Sequence, residues 1–558
     1  MRWWGWGEDG HDAPLPAGAQ RMLAAELGPP TPLPPRRDPV ALEHVRLPEP
    51  ALSAAARKRL DTVVGAEHVH DDRLARVRHA AGRGYHDLVR LRAGDAPDAP
   101  DAVAFPGTAA EVAALLRVCA EEQIAVVPFG GGTSVVGGVA ALRGRFASVL
   151  TVDLGRLDQL VAVDPISLTA TFEAGMTGPA LEAALAEHGM TLGHFPQSFE
   201  FSTVGGWVAT RSSGQASTGY GRIDALVVAV RAVTPSGEIE TRPLPASAAG
   251  PCLRELLVGS EGTLGILVAV TLRIRRRPIV RRYEAFSIGS SAAGVEAFRE
   301  LVQGGIAPDV ARLSDEQETR VSLMLSAGDG AATRALRGYL RARGHADGCL
   351  VIAGWEGTEE AAVRRRRAAA ARVLRAHGAI ALGTRIGAAW EHGRFHAPYL
   401  RDELLAHGVL VETLETATTW SRVMELHDAV GAAIDGALRA RGTPPLVMCH
   451  VSHVYRTGAS LYYTFVARQQ EGAELEQWHA AKLAASDAIL AGGGTITHHH
   501  GVGRDHAPWL PAEVGPLGVE LLGAAKATLD PAGIMNPGKL IDPPSLPGAD
   551  VDLPSAGR

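Results

Sequence analysis

Between Asp98 and Pro278, short apolar runs alternate with helical stretches, and this alternation constrains the fold more than any other feature of the chain. The apolar runs include IAVVPF and SVLTVDL, and the helical stretches include AAEVAALLRVCAEEQ and ALEAALAEHG. Strands and helices that alternate at these lengths are typical of layered α/β structures. We therefore predict an α/β (α+β) fold for this part of the chain.

The remaining sequence divides by composition and residue pattern into three further segments. Residues 1–97 combine a proline-rich extended arm with amphipathic helical patterns, and residues 279–497 repeat the strand and helix mixture with fewer glycines. Residues 498–558 contain a helix stopped by Asp530 and Pro531, and we expect this segment to return to the first domain. A chain of 558 residues is long enough for two or three such packed units.

Charge and cysteine content exclude several functional classes. The chain has 55 basic and 61 acidic residues and a formal net charge of −6, so no overall basic field favours binding to nucleic acid. The four cysteines form no CxxC pair, which indicates neither a disulfide framework nor a zinc site. No amino-terminal signal pattern and no apolar run of membrane-spanning length is visible. We expect a cytoplasmic protein that holds no metal.

Three loops rich in glycine, serine and threonine belong to the first domain. They read VPFGGGTSVVGG at 127–138, PQSFEFSTVGGWVATRSSGQASTGYG at 196–221 and GSEGTLGIL at 259–267. Glycine lets backbone N–H groups approach a ligand closely, and clustered N–H groups bind phosphate oxygens. A tight turn explains one such loop equally well, but three in one domain favour a nucleotide ligand. The P-loop and GxGxxG patterns do not occur in these loops.

The runs GGGTSV, SFEFSTVGGWVATRSSG and SEGTLGI, in this order, resemble the FAD-binding domain of the vanillyl-alcohol-oxidase family. The resemblance implies a two-subdomain FAD-binding domain at 98–278, a substrate or cap domain at 279–497, and helical terminal segments. Members with covalent flavin often carry a histidine where Thr133 stands, so FAD is expected to be bound non-covalently. The residues implied to bind FAD are Gly130, Gly131, Gly132, Thr133, Ser134, Val135, Val136, Gln197, Ser198, Phe199, Glu200, Phe201, Ser202, Thr203, Thr210, Arg211, Ser212, Ser213, Glu261, Gly262, Thr263, Leu264, Gly265, Ile266 and Leu267.

Three further runs are similar to one branch of that family, the alkyldihydroxyacetonephosphate synthases. These runs are THHHGVGRDHAPWL at 497–510, MRWWGWG at 1–7 and GASLYYTF at 458–465. Such enzymes exchange the acyl group of acyl-dihydroxyacetone phosphate for a long-chain alcohol, without net redox change, to form an ether lipid precursor. The resemblance implies these two substrates. We also expect a homodimer and peripheral membrane contact. The final Ala-Gly-Arg is no peroxisomal signal, and the abundance of alanine, arginine and glycine favours a bacterial, cytoplasmic protein.

The same resemblance implies roles for individual residues. Tyr462 is the implied proton acceptor and donor, Arg312 is implied to be catalytic, and Arg401 is implied to bind substrate. Taken alone, Tyr462 suits core packing and each arginine suits a solvated surface charge. Because a phenol with a pKa of ~10 is a poor base near neutrality, we expect cationic neighbours to lower the pKa of Tyr462. We also expect the two guanidinium groups to hold a phosphate or a departing carboxylate.

His498, His499 and His500 are adjacent and are also implied to be catalytic. Neighbouring residues on an extended strand point to opposite faces, so we expect at most two of them to share a site. Imidazoles hold phosphate or polarise a carbonyl oxygen near neutral pH. Metal binding and simple loop packing remain the other interpretations of this run.

Two alternative functions remain open. The first is an FAD-dependent 2-hydroxy-acid dehydrogenase or oxidase of the D-lactate or glycolate type, which commonly carries GHxGDGNxH and EHGxG segments. The comparable runs here are CHVSHVYRTGASLYY and HHHGVG, so Tyr462 replaces the second metal histidine and His499 replaces the glutamate. The second alternative is a non-catalytic protein that binds flavin or lipid.

Overall fold

The computed structural model describes residues 1–8, 10–11, 13–15, 17–28, 32–327 and 331–541. Two α/β units, each with its own apolar core, make up most of these residues. No helix in these ranges combines the length and apolar character needed to cross a bilayer. The carboxyl-terminal tripeptide, on which the expectation about peroxisomal targeting rests, lies outside the described residues.

The first unit contains a four-stranded and a five-stranded sheet. Its strands are β1 (Val69–His70), β2 (Ala102–Ala104), β3 (Ile124–Phe129), β4 (Ser148–Asp153), β5 (Leu160–Asp164), β6 (Thr169–Glu173), β7 (Met190–Thr191), β8 (Val227–Thr234), β9 (Gly237–Glu240), β10 (Ile266–Arg273) and β11 (Arg275–Arg276). The four-stranded sheet has the order β1-β2-β4-β3, with β2, β4 and β3 parallel. The five-stranded sheet is antiparallel in the order β5-β6-β10-β8-β9, and β7 pairs with β11.

The second unit is built on one seven-stranded antiparallel sheet. Its strands are β12 (Val280–Ile288), β13 (Val310–Ser314), β14 (Cys349–Gly357), β15 (Ile380–Gly383), β16 (Val409–Thr419), β17 (Leu446–Val454) and β18 (Gly458–Arg468). They are arranged in the order β15-β12-β14-β13-β17-β18-β16. Leu461, Tyr463 and Phe465 of β18 are buried in the core of this unit. Because side chains alternate along a strand, Tyr462 lies on the other face.

Helices cover both units and join them. They are α1 (Ala17–Glu26), α2 (Ala54–Val64), α3 (Arg73–Arg78), α4 (Tyr85–Arg92), α5 (Ala109–Glu121), α6 (Gly178–Glu187), α7 (Val204–Ala209), α8 (Ser217–Tyr220), α9 (Ile223–Leu226), α10 (Leu253–Leu257), α11 (Ser291–Gln303), α12 (Glu316–Ala327), α13 (Ala331–Ala342), α14 (Glu360–Ala376), α15 (Thr384–Gly393), α16 (Ala397–Ala406), α17 (Val423–Ala440), α18 (Glu474–Ala491), α19 (Leu510–Val514) and α20 (Pro516–Leu529). Helix α8 of the first unit contacts β13 and β17 of the second, so the units meet on the sheet face that carries Tyr462.

Strand β3 positions the first glycine loop. Its residues IAVVPF are almost entirely buried, as expected for a strand in a parallel sheet with both faces covered. Helix α5 packs on β3, and its N-cap Thr108 accepts a hydrogen bond from the backbone N–H of Glu111. Ligands of α/β folds bind at the carboxyl edge of parallel strands, which is where β3 delivers the loop.

The amino-terminal segment is less extended than the sequence suggested. Residues 17–26 form α1, because Ala19, Leu23 and Leu27 share one face and are buried in a small core with residues of β16. An ion pair between Glu26 and Arg320 of α12 fixes the helix from outside. The expectation that the proline-rich part of residues 1–97 forms an extended arm was therefore wrong for this stretch.

The carboxyl-terminal segment lies along the edge of the four-stranded sheet. Ile534 and Met535 are fully buried in the first core. The backbone of Val126 in β3 donates to Ile534 O and accepts from the backbone N–H of Asn536, both at 2.8 Å. The free edge of β3 is thus covered by residues more than four hundred positions later in the chain.

Candidate active site

The first glycine loop presents a row of free backbone donors at the end of β3. Within the described residues, no protein atom accepts a hydrogen bond from the backbone N–H groups of residues 130–135. Gly132 adopts a φ of +66°, a conformation that favours glycine. Neighbouring N–H groups without acceptors suit the oxygens of a diphosphate. The loop therefore fits the pyrophosphate of FAD.

The three glycine-rich loops meet at this place. A Cβ added to Gly131 would lie 1.9 Å from Phe201 O, and one added to Gly130 would lie 2.3 Å from Thr203 Oγ1. The second loop thus packs directly on the first, and no side chain fits between their backbones. The third loop is also close, because a Cβ on Gly138 would lie 3.8 Å from the carboxylate of Glu261.

Glu261 connects the third loop to residues 497–503, called here the histidine loop. Its carboxylate accepts hydrogen bonds from the backbone N–H groups of Val502 and Gly503, both at 2.7 Å. Burial raises the pKa of Glu261 to about 7, although these two N–H groups and the charge of Lys539 act in the opposite direction. The cofactor loops and the histidine loop are thereby fixed relative to each other.

Several second-loop side chains that the sequence assigns to FAD contact the second unit instead. The pairs are Gln197 Nε2 with Arg394 O (2.8 Å), Glu200 with the hydroxyl of Tyr399 (2.5 Å) and the ring of Phe199 with that of Phe395 (5.5 Å between centroids). These residues lie where the two units meet. Contact between their side chains and FAD stays a prediction.

Other predicted FAD ligands also use their side chains within the protein. The pairs are Ser202 with Trp207 (2.7 Å), Thr210 with Gly206 O (2.9 Å), Arg211 with Val258 O (3.1 Å), Ser212 with His194 (2.8 Å), Ser213 with His453 (3.2 Å) and Thr263 with Ser260 O (2.7 Å). Leu264, Ile266 and Leu267 are buried in the first core. Because these side chains bind within the protein or lie in its core, we expect these residues to contact a cofactor through their backbone atoms.

Tyr462 lies in β18 with its ring surrounded by imidazoles. The ring stacks on His450, its partner in β17, at 4.8 Å between centroids. The rings of His499 and His500 lie 5.9 and 5.6 Å away. Tyr463 points to the opposite face and donates to backbone carbonyls of α17 at 3.2 Å. The strand predicted from the run LYYTF is confirmed, as is the opposite direction of Tyr463.

The pKa of Tyr462 shifts in the direction opposite to our expectation. Burial raises it, while a hydrogen bond with Thr413 and the charge of Arg401 act more weakly to lower it. Burial also lowers the pKa of His499, and it holds the pKa of His500 well below the usual value. The imidazoles are therefore neutral at pH 7. The expectation was wrong because neutral rings supply no positive charge.

The histidine loop bends around the carboxylate of Glu415. The backbone N–H groups of His498, His499 and His500 donate to it at 2.5, 3.1 and 2.8 Å, and the hydroxyl of Thr497 donates at 2.7 Å. Because the loop is bent, alternation along a strand does not apply, and the limit of two histidines per site was wrong. All three rings belong to one cluster, with ring centroids of neighbouring histidines 5.2 and 4.8 Å apart.

The two predicted arginines are each held by a carboxylate of the chain. Arg312 donates to Glu318 at 2.8 Å, and its terminal nitrogens lie 3.1 and 3.0 Å from the ring nitrogens of His450. Arg401 donates to Glu412 at 2.7 Å and to two backbone carbonyls at 3.2 and 3.1 Å. We expected both guanidinium groups to face a phosphate or carboxylate of the substrate. Each of them already donates to a carboxylate of the protein.

Similarity to known proteins agrees with this arrangement. The chain matches the model of an FAD binding domain over residues 100–242 and that of the C-terminal domain of FAD linked oxidases over residues 277–540. It is 35% identical over 509 residues to alkyldihydroxyacetonephosphate synthase of Trypanosoma brucei brucei, covering 90% of this chain and 83% of the relative. The corresponding protein of Dictyostelium discoideum is 32% identical over 507 residues, with the same coverage of 90% and 83%.

A solved structure of an alkyldihydroxyacetonephosphate synthase superposes on the chain with a TM-score of 0.83 and 28% identity, covering 96% of this chain and 98% of that chain. The chain belongs to the alkyldihydroxyacetonephosphate synthase family. The predicted fold class and the predicted cofactor, FAD, are confirmed. The protein is an FAD-dependent enzyme of this family, and Thr133 stands where relatives with covalent flavin often carry a histidine.

Sequence reasoning missed three residues of this synthase-type site. Nothing in the local sequence distinguishes Glu415 from other strand residues. Its place in the site follows from the strand register, which pairs it with Tyr462. His450 and His453 stood out in the run CHVSH, but we compared them only with a metal segment. A register shift between β17 and β18 after Val451 accompanies the turn of His453 toward the histidine loop.

In the described residues, His453, His498 and His499 form a group that could hold a metal ion. Their candidate ligand atoms all lie within 4.8 Å of one another. Two of the rings already have protein partners, since His453 Nδ1 lies 2.5 Å from Ser217 Oγ and His498 Nε2 lies 2.6 Å from the hydroxyl of Tyr455. The expectation that the protein holds no metal stays a prediction.

Proposed function

We propose that this protein exchanges the acyl group of acyl-dihydroxyacetone phosphate for a long-chain fatty alcohol, forming an ether lipid precursor without net redox change. The observation that carries the proposal is the placement of Tyr462. This half-buried phenol lies among the imidazoles of His450, His499 and His500, and Glu261 connects the histidine loop to the FAD loops. A group that accepts and returns a proton must lie within reach of the reacting carbon.

The residues around Tyr462 support proton transfer by the phenol. Bound FAD supplies an electron-poor ring system that accepts electron density from the reacting carbon and gives it back. Tyr462 takes a proton from that carbon and returns one after the alcohol has entered. The hydrogen bond with Thr413 and the charge of Arg401 both favour the phenolate. Burial, which opposes the phenolate, keeps water away from the reacting carbon.

Two groups are available to hold the substrate's polar end. Arg401 uses three of its five N–H donors within the protein, as the three hydrogen bonds described above show, so two remain. The Nδ1 atom of His500 is buried, lies 3.7 Å from the carboxylate of Glu415 and has no hydrogen-bond partner in the described part of the chain. A phosphate or carbonyl oxygen of the substrate satisfies both groups.

The proposed function is tested by incubating the FAD-loaded protein with acyl-dihydroxyacetone phosphate and labelled hexadecanol. We expect a labelled ether product and no hydrogen peroxide. Tyr462→Phe should abolish turnover and leave FAD bound, whereas Tyr463→Phe, a matched change on the opposite face of β18, should retain turnover. Full activity of Tyr462→Phe would refute the role of its hydroxyl.

The alternatives give different outcomes in the same preparation. A 2-hydroxy-acid dehydrogenase or oxidase bleaches its flavin when D-lactate or glycolate is added without oxygen. A non-catalytic flavin or lipid-binding protein shows neither bleaching nor ether product. We expect no bleaching, because Tyr462 stands in place of a metal-binding histidine.

We further propose that the protein contacts a membrane peripherally, where its lipid substrates reside. Leu517 and Leu521, one turn apart on α20, expose 68% and 65% of their surface, and nearby Val514 exposes 39%. Neighbouring exposed apolar side chains favour insertion into a lipid interface. The double variant Leu517→Ser and Leu521→Ser should sediment less with phosphatidylcholine and phosphatidylserine vesicles than Val161→Ser. Equal sedimentation would contradict this contact.

Cytoplasmic location and a homodimeric state are also part of the proposal. Absence of disulfides among the four cysteines of the described residues agrees with a reducing compartment. Cell fractionation tests the location, and recovery from a secreted or periplasmic fraction would contradict it. Light scattering tests the dimer, for which we expect twice the chain mass of 58.5 kDa. A mass of one chain at micromolar concentration would count against it.

A further inference from the structure

A chain of hydrogen bonds leads outward from the histidine loop. His499 Nδ1 lies 2.9 Å from His498 Nδ1, and His498 Nε2 lies 2.6 Å from the hydroxyl of Tyr455. At the inner end, the ring of His499 stacks on that of Tyr462 with 5.9 Å between centroids. Four titratable side chains therefore follow one another in space: the proposed catalytic phenol of Tyr462, then His499, His498 and Tyr455.

The outer end of this chain reaches solvent. Tyr455 forms part of the wall of a cavity of about 370 Å³, which is also lined by Thr419, Arg422 and Thr457. These three residues are exposed, so the cavity opens to bulk water. Tyr455 itself is partly buried. Tyr455 therefore lies between His498, which its hydroxyl contacts, and the cavity.

We propose that Tyr455, His498 and His499 form a path that carries protons between Tyr462 and water in this cavity. The inference rests on the proposed function, because it assigns a route to the proton that Tyr462 removes from the reacting carbon. Tyr455 contacts His498 through its hydroxyl, so it acts through His498 as a relay and positioning residue.

The transfer balances at every step. Tyr462 gains the carbon's proton and passes one to His499, with an oxygen of the bound substrate bridging the gap between them. His499 releases its Nδ1 proton to His498 Nδ1, and His498 releases its Nε2 proton to Tyr455. The hydroxyl of Tyr455 releases its own proton to cavity water. Each group gains one proton and loses one, and no electrons are transferred.

The electrostatic surroundings suit a relay. Burial holds the pKa of His498 well below its usual value and lowers that of His499, so neither ring retains a proton as a stable cation. Burial raises the pKa of Tyr455, but the charge of Arg222 acts against this rise. Arg222 also donates to His498 O at 2.8 Å and pairs with Asp224, which fixes the outer half of the path.

The fate of a label on the reacting carbon tests the path. Acyl-dihydroxyacetone phosphate carrying deuterium at that carbon is converted in ordinary water, and deuterium in the ether product is measured by mass spectrometry. In wild type, the path releases deuterium to solvent. In Tyr455→Phe the deuterium remains on Tyr462 or His499 and returns to carbon. The fraction of label lost to solvent should therefore fall about tenfold or more. FAD content and the KM for substrate should stay unchanged.

A second variant tests the cavity without touching His498. Thr457→Trp fills the cavity entrance and should also increase retention of deuterium, and it decides the question alone if Tyr455→Phe does not fold. Tyr455→His, which keeps a donor and an acceptor, should restore release. Tyr463→Phe serves as the matched control and should release label as wild type does.

The two possible failures are distinguishable. Equal loss of label from wild type and from Tyr455→Phe would overturn the path and leave the proposed function intact. A merely structural role of Tyr455 would lower turnover or FAD content at unchanged loss of label, which also overturns the path. A wild-type protein that forms no ether product counts against the proposed function itself.

Discussion

Glu415 organises the histidine loop through its backbone. Its carboxylate receives four hydrogen bonds, three from consecutive N–H groups and one from the hydroxyl of Thr497. Burial opposes the charge, but hydrogen bonds such as that from the N–H group of His500 favour it, and the pKa of Glu415 lies well below its usual value. A carboxylate at this position bends the loop so that His498, His499 and His500 share one site.

Replacing Glu415 with glutamine should disrupt this bend. The amide keeps the shape but loses one acceptor oxygen, and its NH2 group opposes the backbone N–H groups of the loop. Unsatisfied buried donors cost about 1–3 kcal/mol, so we expect a lower melting temperature and a large loss of kcat. Calorimetry and the ether-forming assay measure the two effects. Glu425→Gln, an exposed change on α17, is the control, and equal behaviour of the two variants would contradict the interpretation.

His86 makes stability depend on pH. It lies 3.1 Å from Asp87 and 3.7 Å from Asp505. Burial alone would lower its pKa, but the carboxylates of Asp505 and Asp87 outweigh burial and raise it to about 9. The unfolded pKa is about 6.5, so the native state binds more protons between these values. The stabilisation is complete below pH 6.5 and is lost as pH rises through 9.

We therefore expect the melting temperature of wild type to fall between pH 6.5 and 9 more steeply than that of His86→Gln. The difference in unfolding free energy over this range is on the order of 3 kcal/mol. Thermal unfolding at several pH values measures it. His479→Gln, an exposed change on α18, should keep the wild-type slope. An unchanged slope in His86→Gln would disprove the assignment.

At the scale of elements, the sequence predicts the strands and helices with strong periodicity. The run IAVVPF forms β3, SVLTVDL forms β4 and LYYTF lies in β18, because their apolar and aromatic residues have no helical spacing. Helix α1 was missed because it lies between proline-rich stretches and owes its stability to burial on β16. Periodicity carries no information about such tertiary contacts.

For a related reason, the sequence predicted some parts of the site and missed others. The three glycine loops and Tyr462 are recognisable because backbone approach and a specific hydroxyl demand particular residues. The role of Glu415 depends on its strand register opposite Tyr462, which pairs residues 47 positions apart. The neutral state of the imidazoles depends on burial. Neither register nor burial could be read from the local run of residues.

The contact between the first two glycine loops gives a sharp prediction. Gly131→Ala would place a Cβ 1.9 Å from Phe201 O, so the two loops must separate and the row of free N–H groups must shift. We expect about a tenfold or greater loss of FAD affinity, measured by flavin absorbance after dialysis. Gly436→Ala in α17, where a Cβ meets nothing within 4 Å, should retain full flavin. Full flavin content in both variants would contradict the prediction.

At the scale of the whole molecule, one buried carboxylate joins the two units. Glu356 of β14 accepts hydrogen bonds from the hydroxyl of Tyr220 in α8 and from that of Tyr283 in β12, the latter at 2.6 Å. Tyr220 belongs to the first unit, and the other two residues belong to the second. The guanidinium of Arg275 lies 3.8 Å from the ring centroid of Tyr220. The units therefore share a polar contact shielded from water.

Tyr220→Phe should uncouple the units in unfolding. It removes a donor to buried Glu356 and should cost about 1–3 kcal/mol at the contact between the units. Calorimetry should show two transitions for this variant, whereas we expect one for wild type. Tyr283→Phe removes the other donor to the same carboxylate, but within the second unit, so it should lower stability and keep a single transition. Identical calorimetric profiles would argue against this role of Tyr220.

The carboxyl-terminal segment also affects when the cofactor site is completed during synthesis. Asn536 Nδ2 donates to Gly138 O in the first loop and to Glu261 O in the third, and 398 residues separate Asn536 from Gly138. At about 5–20 residues per second, a ribosome needs tens of seconds to make the intervening chain. A nascent chain therefore carries the first loop without its partner for most of translation. Secure retention of flavin becomes a late event, tied to completion of the polypeptide.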